Sequence, residues 1–241
     1  MLETTEAIIL HSRKFGDTSK IISIYTKDDG LISVIAKGSR LPKNKFGSSI
    51  EPLSHSQITY YKKSERDLFL LSKSELIKNF KHIFDSSEKL CVSLAILESI
   101  TLTQHNHEAN EMIFHLLVMY LWGINECEAN EYNYFLKFQI ELAKLTGFEF
   151  DFNRAAYGQG DEYIYLSIET GEFTSISNKK DSYRLKGELA AYLYKVNNCS
   201  LKNLEEIKAP KNNIKEINSM LSRYFAFHLD KYFHYKAFDT N

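Results

Sequence analysis

Cysteine is scarce in this 241-residue chain: there are three, Cys91, Cys127 and Cys199, and no two share a Cys-x-x-Cys spacing. An odd, scattered set argues against a disulfide framework and fits a reducing compartment. Long apolar runs are missing as well. The longest, residues 112–122, is interrupted by His115, and about 18 apolar residues are needed to span a bilayer. That stretch reads as a buried helix. The opening Met-Leu-Glu-Thr-Thr-Glu is acidic and lacks the apolar region of a signal peptide, so a cytoplasmic protein is expected. Catalytic signatures are absent too: no Gly-x-Ser-x-Gly elbow and no Gly-x-x-x-x-Gly-Lys-Ser/Thr phosphate loop occurs. None of the cysteines has glycine-rich or basic neighbours. His105 and His107 invite a metal reading, but residues two apart on a helix point about 200° from each other. No enzyme is expected.

What the chain does have is a division. The net charge of −1 hides 13 Lys/Arg against 9 Asp/Glu in residues 1–80 and 17 against 22 in the remaining 161. Such asymmetry points to a nucleic-acid or membrane face on the positive part. Residues 1–75 read as five strands, at 5–12, 20–27, 31–37, 54–62 and 67–72. The second and third alternate apolar and polar residues around Asp28-Asp29-Gly30, where glycine supplies the positive φ of a tight hairpin. Five short strands suit an OB-type Greek-key barrel, with an SH3-like barrel as the nearest rival. After Leu76 apolar residues recur at helical spacing, predicting helices over 89–104, 111–123, 132–146, 185–196, 201–207 and 213–235. Gly123 and Gly147 stand where helix ends are expected. Residues 148–180 lose the periodicity and read as a loop plus a short β-hairpin. The fold class is α+β: a barrel domain at 1–80, then a helical interaction domain at 81–241.

The most informative local feature lies between Ala36 and Gly47. Lys37, Arg40, Lys43 and Lys45 place four cations in nine residues with no acid among them, and Phe46 follows. Gly38 and Pro42 mark a loop. The cations could neutralise phosphates while Phe46 offers a face to a base; the plainer reading is a solvated loop. Tyr60-Tyr61-Lys62-Lys63, with Arg66, repeats the aromatic-and-cation theme. Strand side chains alternate, so one of the two tyrosines must face the core. Arg13, Lys14 and Lys20 flank the first turn and extend the same surface.

Residues 5–19 (TEAIILHSRKFGDTS) closely resemble the opening of RecO proteins: a first strand, a basic-aromatic step, then Gly16-Asp17-Thr18-Ser19. Tyr25-Thr26, the run from Gly30 to Gly38, Phe46-Gly47, Glu51-Pro52-Leu53, Tyr60-Tyr61 and Asp67-Leu68-Phe69 continue the likeness. It is dense over residues 4–80 and looser beyond. The resemblance implies an N-terminal OB domain and a C-terminal helical domain. It implies binding of single- and double-stranded DNA, strand annealing, work with RecR, and loading of RecA onto DNA coated by single-strand binding protein. Arg223, Lys231 and Lys236 are candidates for the rim that would take that protein's acidic tail. The rival is an adaptor whose basic loop recognises an acidic protein. Many family members hold zinc through two cysteine pairs in the C-terminal domain. Here Ala155 and Gly158, then Thr174 and Ser177, stand at those places, and none supplies a thiolate. No metal or other cofactor is expected; the hairpin must be held by its own packing, through Tyr163, Tyr165, Leu166 and Phe173.

Overall fold

The computed structural model describes residues 1–63, 67–152, 162–176 and 181–239. Strands β1 (Leu2–Phe15), β2 (Ser19–Thr26), β3 (Gly30–Ala36), β4 (Ser54–Tyr61) and β5 (Leu68–Asn79) close into a barrel in the order β1-β2-β3-β5-β4. A five-stranded barrel is the architecture expected. β1 outruns its expected bounds because it serves two neighbours: Leu2–Ile8 register with β4, and Ala7–Phe15 with β2. The register shifts between Ile9 and His11, the kind of bulge that lets one strand turn a barrel corner. β5 also runs on, through Asn79, where helical grammar was expected from Leu76 onward. Its partner is β4, 54–61, a pairing that local periodicity cannot show.

The barrel interior is filled by one cluster, including Ile9, Ile22, Ile24, Ile32, Val34, Ile58, Tyr60, Phe69 and Leu71. As strand residues of a small barrel, Phe69 and Leu71 are expected from the sequence on the outer face, packing on the helices that follow; they are 3% exposed and belong to the core. The phase of β5 is shifted by one residue from that reading, and a shift of one exchanges the two faces.

The chain divides into two compact units: Met1–Ser86 with Ile100–Asn125, and Ser87–Ser99 with Glu126–Asn241. In the first, helix α2 (Glu111–Glu126) packs Phe114 on Tyr25 and His55 of the barrel, with ring centroids 6.4 and 5.9 Å apart. Gly123 lies inside this helix rather than ending it. The loop before α2 is pinned to the β2–β3 hairpin: His107 N donates to Leu31 O at 3.0 Å, and Tyr25 Oη donates to Gln104 Oε1 at 3.2 Å.

Helix α1 (Ser87–Thr103) precedes that loop. The second unit holds α3 (Tyr132–Leu145), a three-stranded sheet of β6 (Tyr163–Ser167), β7 (Phe173–Thr174) and β8 (Ser182–Lys186), then α4 (Gly187–Asn198) and α5 (Ile214–Leu229). The expected hairpin thus gains a third strand. A helix is expected from residue 185, yet residues 182–186 pair with β6 and the helix begins at Gly187. Residues Leu201–Glu206 form a 3-10 turn. α5 stops at Leu229, short of the expected 235, because Asp230 adopts the left-handed conformation. Gly147, at φ +91°, does follow α3 as expected.

Leu166 and Phe173 are buried, and Phe173 stacks on Phe152 at 5.0 Å while Phe150 stacks on Tyr224 at 4.3 Å. Tyr163 and Tyr165 are half-buried, with the Arg184 guanidinium 4.5 Å from the Tyr163 ring. Aromatic packing of this extent holds the small sheet against α5. Among the described residues no helix is long and apolar enough to cross a membrane.

Candidate nucleic-acid interface

Alternation along three neighbouring strands builds a groove on the outer wall of the barrel. In β3 the core takes Ile32, Val34 and Ala36, which turns Ile35 and Lys37 outward. In β5 the core takes Phe69 and Leu71, which turns Leu68 and Leu70 outward. In β4 the core takes Tyr60, which turns Tyr61 outward. Register then aligns them: Leu70 pairs with Ile35 on one side and with Tyr61 on the other. The row Ile35, Leu70, Tyr61 is therefore a continuous apolar and aromatic floor across β3, β5 and β4. Adjacent strands lie about 4.8 Å apart. Lys37 and Lys63 follow two residues after Ile35 and Tyr61, just past the ends of β3 and β4. The resulting groove has a volume of about 390 Å³ and is lined by Ile35, Lys37, Tyr61, Lys63, Leu68, Phe69 and Leu70. Tyr61 is 48% exposed whereas Tyr60 is fully buried, which decides between the two tyrosines.

Other sequence-derived candidates fall into three groups. Arg13, Lys14, Arg40 and Lys43 are exposed. The loop after β3 is strapped to the β1–β2 turn, since Arg40 N donates to Thr18 O at 2.9 Å and Arg40 Nη1 donates to Gly16 O at 3.0 Å. That strap brings the loop beside the turn flanked by Arg13 and Lys14. Lys14 also faces Lys20 directly across β1 and β2. Like charges in that position oppose each other; Lys20 is offset by Glu51, 2.6 Å away.

In the second group the cation is already engaged. Lys45 donates to Ser72 O at 2.9 Å and lies 5.0 Å from the Phe46 ring centre. Lys62 donates to Asp29, which also accepts from the buried Tyr60 hydroxyl. Burial alone would push the Asp29 carboxyl up, but the hydrogen bonds from Lys62 and Tyr60 and the charges of Lys62 and His107 outweigh it and hold the group below its ordinary value. A depressed carboxylate stabilises the fold above the unfolded pKa of about 3.9 and loses that contribution as pH falls through its folded value. Acid melting of the barrel is therefore expected to begin as Asp29 protonates, and Asp29→Asn should flatten the acid limb of melting temperature against pH. Parallel acid limbs in the two proteins would remove Asp29 from this role.

The third group is a correction. Phe46, expected to present a face to a base, is 5% exposed and belongs to the barrel core. Asn44 Oδ1 accepts from Phe46 N and Gly47 N at 2.7 and 2.9 Å, a local turn that tucks the ring inward. Arg66 lies outside the described residues.

The residues missed from the sequence are the apolar lining of the groove, Ile35, Leu68 and Leu70. An apolar residue at an outward phase was the available signal at Ile35; in Leu68-Phe69-Leu70-Leu71 no alternation exists to reveal the phase. In the second unit, Arg223 and Phe227 stand one turn apart on the exposed face of α5, with Phe227 53% exposed. Lys231 and Lys236 are exposed just beyond it. A zinc site does not fit. No cysteine lies between Cys127 and Cys199, Thr174 is a strand residue of β7, and Ala155, Gly158 and Ser177 lie outside the described residues.

The closed barrel, the helices that follow it and the cation-rimmed groove on its wall define an OB-type barrel protein. A family model described as "Recombination protein O N terminal" matches residues 1–80, and one described as "Recombination protein O C terminal" matches residues 85–237. The chain belongs to the recombination protein O family. Curated relatives named "DNA repair protein RecO" include one from Salinibacter ruber, 29% identical over 84% of this chain and 78% of its own length. Another, from Chloroherpeton thalassium, is 28% identical over 95% of this chain and 94% of its own length. A third, from Alkaliphilus metalliredigens, is 26% identical over 96% and 95%.

Proposed function

We propose that this protein is a non-catalytic mediator of DNA repair and recombination, cytoplasmic and associated with the nucleoid. It binds single- and double-stranded DNA, promotes annealing of complementary strands and helps to load recombinase onto DNA coated by single-strand binding protein. Family membership supports the repair role. The observation that carries the DNA reading is the aligned row of Ile35, Leu70 and Tyr61 with Lys37 and Lys63 beside it. An apolar, aromatic floor accepts base faces without reading their edges, and flanking ammonium groups neutralise phosphates. Arg13, Lys14, Arg40 and Lys43 extend the electrostatic track; Lys20 and Lys62, their charges matched by Glu51 and Asp29, add less, as does Lys45, held by Ser72 O.

On this reading residues 1–80 carry DNA, and the helical domain, 81–241, docks RecR and the acidic tail of single-strand binding protein, acting on RecA indirectly. The exposed Arg223 and Phe227, with Lys231 and Lys236 nearby, offer the tail both cations and an apolar contact.

The test is a titration of the full chain with oligothymidines of increasing length, read by anisotropy, from about 50 to 200 mM salt. Affinity should rise with length and fall linearly in log–log form, with a slope of about −0.7 per phosphate neutralised. Affinity independent of both length and salt would replace this reading with a protein adaptor.

A further inference from the structure

Helix α2 carries a second apolar face that the barrel does not use. Its inner face, including Ile113, Phe114, Leu117, Leu121 and Ile124, is buried. A helix on a protein surface normally turns polar residues to solvent. Here Met112, Met119 and Trp122 are 64%, 42% and 40% exposed. With His115, which is also exposed, they stand at positions 112, 115, 119 and 122. Steps of three, four and three residues form the seam along which one helix receives another.

The end of β5 and the turn after it add to the same face. Lys78 Nζ sits 4.3 Å from the Trp122 ring centre, Phe80 packs on Trp122 at 6.4 Å, and His82 N donates to Asn125 Oδ1 at 2.9 Å. These contacts tie the segment 78–82 to the C-terminal half of α2. Its neighbours Ile77 and Phe84 are 44% and 58% exposed. Ile77 is the extra residue at the register shift opposite His55 and Ser56, which frees it from the ladder.

Charge gives the seam a direction. At its N-terminal end Glu111 is paired with Lys27 at 3.0 Å, and His115 Nε2 lies 3.2 Å from the same carboxylate. At the Trp122 end His82 Nδ1 lies 2.9 Å from Asp85, while Lys78 and Lys81 have no ion pair among the described residues. We infer that this face receives an amphipathic helix of a partner protein, its apolar stripe laid along Met112, His115, Met119 and Trp122 and its carboxylates facing Lys78 and Lys81. The two methionines of the seam suit a protein helix better than stacked bases, because methionines repack around varied apolar side chains. A second copy of this chain fits less well, since its Glu111 is already matched and offers those lysines no free charge. The inference does not depend on the groove of the barrel.

Trp122 is the only tryptophan in the chain, so its emission reports on this face alone in the full-length protein. The probes are a synthetic helix with a leucine seam flanked by glutamates, the same helix flanked by lysines, and oligothymidine. The glutamate-flanked helix should shift Trp122 emission to the blue, saturably, and bind at least about tenfold more tightly than the lysine-flanked one. Lys78→Glu with Lys81→Glu should reverse that preference without changing the circular dichroism of the protein. Met119→Glu should weaken the glutamate-flanked helix by about tenfold or more. No saturable shift, equal binding of the two helices, a shift driven by oligothymidine instead, or a dimer in sedimentation that buries Trp122 would each overturn the inference.

Discussion

Replacing Lys37, Tyr61 and Lys63 together by alanine is expected to weaken binding of single-stranded oligonucleotide by about a hundredfold at moderate salt, with the melting temperature nearly unchanged. Stacking and charge both contribute. Stacking of a base on an aromatic side chain contributes about 1–3 kcal/mol by alanine substitution, so Tyr61→Ala alone should cost about fivefold to a hundredfold. Each lysine that neutralises a phosphate on a single strand contributes about 0.7 to the log–log salt slope. Removing both should flatten the slope by about 1.4 and lower affinity further. Stability should hold because all three side chains are exposed: Tyr61 is 48% accessible, and neither lysine has an ion pair among the described residues. Tyr61→Phe separates stacking from hydrogen bonding, and on this account it binds nearly as well as the native protein. Native affinity in a folded triple variant would move the DNA track elsewhere on the barrel.

The barrel was legible because its hairpins announce themselves: Asp28-Asp29-Gly30 between two alternating strands could hardly be anything else. Alternation also fixed the faces of β2 and β3. It failed at β5, where Leu68-Phe69-Leu70-Leu71 is apolar at every position and the phase is set only by pairing with β3 and β4. Leu68 and Leu70 in the groove were hidden by the same ambiguity. Phe46 misled for a different reason. A residue bracketed by Asn44, Lys45 and Gly47 has the composition of a solvated loop, yet a closed barrel needs its interior filled, and a loop ring can fill it. The engaged lysines could not be read at all, because Lys62 meets Asp29 and Lys45 meets Ser72 O only after distant strands have paired. In the helical part Gly147 ends a helix and Gly123 does not. The difference lies in whether the next residues can stay on the apolar face, and Ile124 and Asn125 do.

Gly30→Ala is expected to lower the melting temperature by on the order of 10–20 °C, far more than the same change at Gly38. Both glycines have left-handed backbones, φ +63° at Gly30 and +70° at Gly38, and an alanine forced there costs about 1–2 kcal/mol. The two sites differ in the space that a Cβ would enter. At Gly38 the nearest atom is Leu41 Cδ1 at 3.6 Å, an ordinary contact. At Gly30 a Cβ would fall 2.1 Å from Glu108 O and 2.4 Å from its carbonyl carbon. Backbone cannot yield as the tip of a side chain does. The loop ahead of α2 would have to lift away, breaking the bond from His107 N to Leu31 O and loosening Tyr25 from Gln104. Overpacking of that kind adds about 1–3 kcal/mol, and each kcal/mol is worth about 4–8 °C in a unit of roughly 60–100 residues. Asparagine separates strain from clash, because it tolerates the left-handed region but still carries a Cβ. Gly38→Asn should therefore recover much of what Gly38→Ala loses, while Gly30→Asn should melt close to Gly30→Ala. Equal recovery by asparagine at both positions would mean that residue 108 does not press on the hairpin, and that conformation alone selected glycine at position 30.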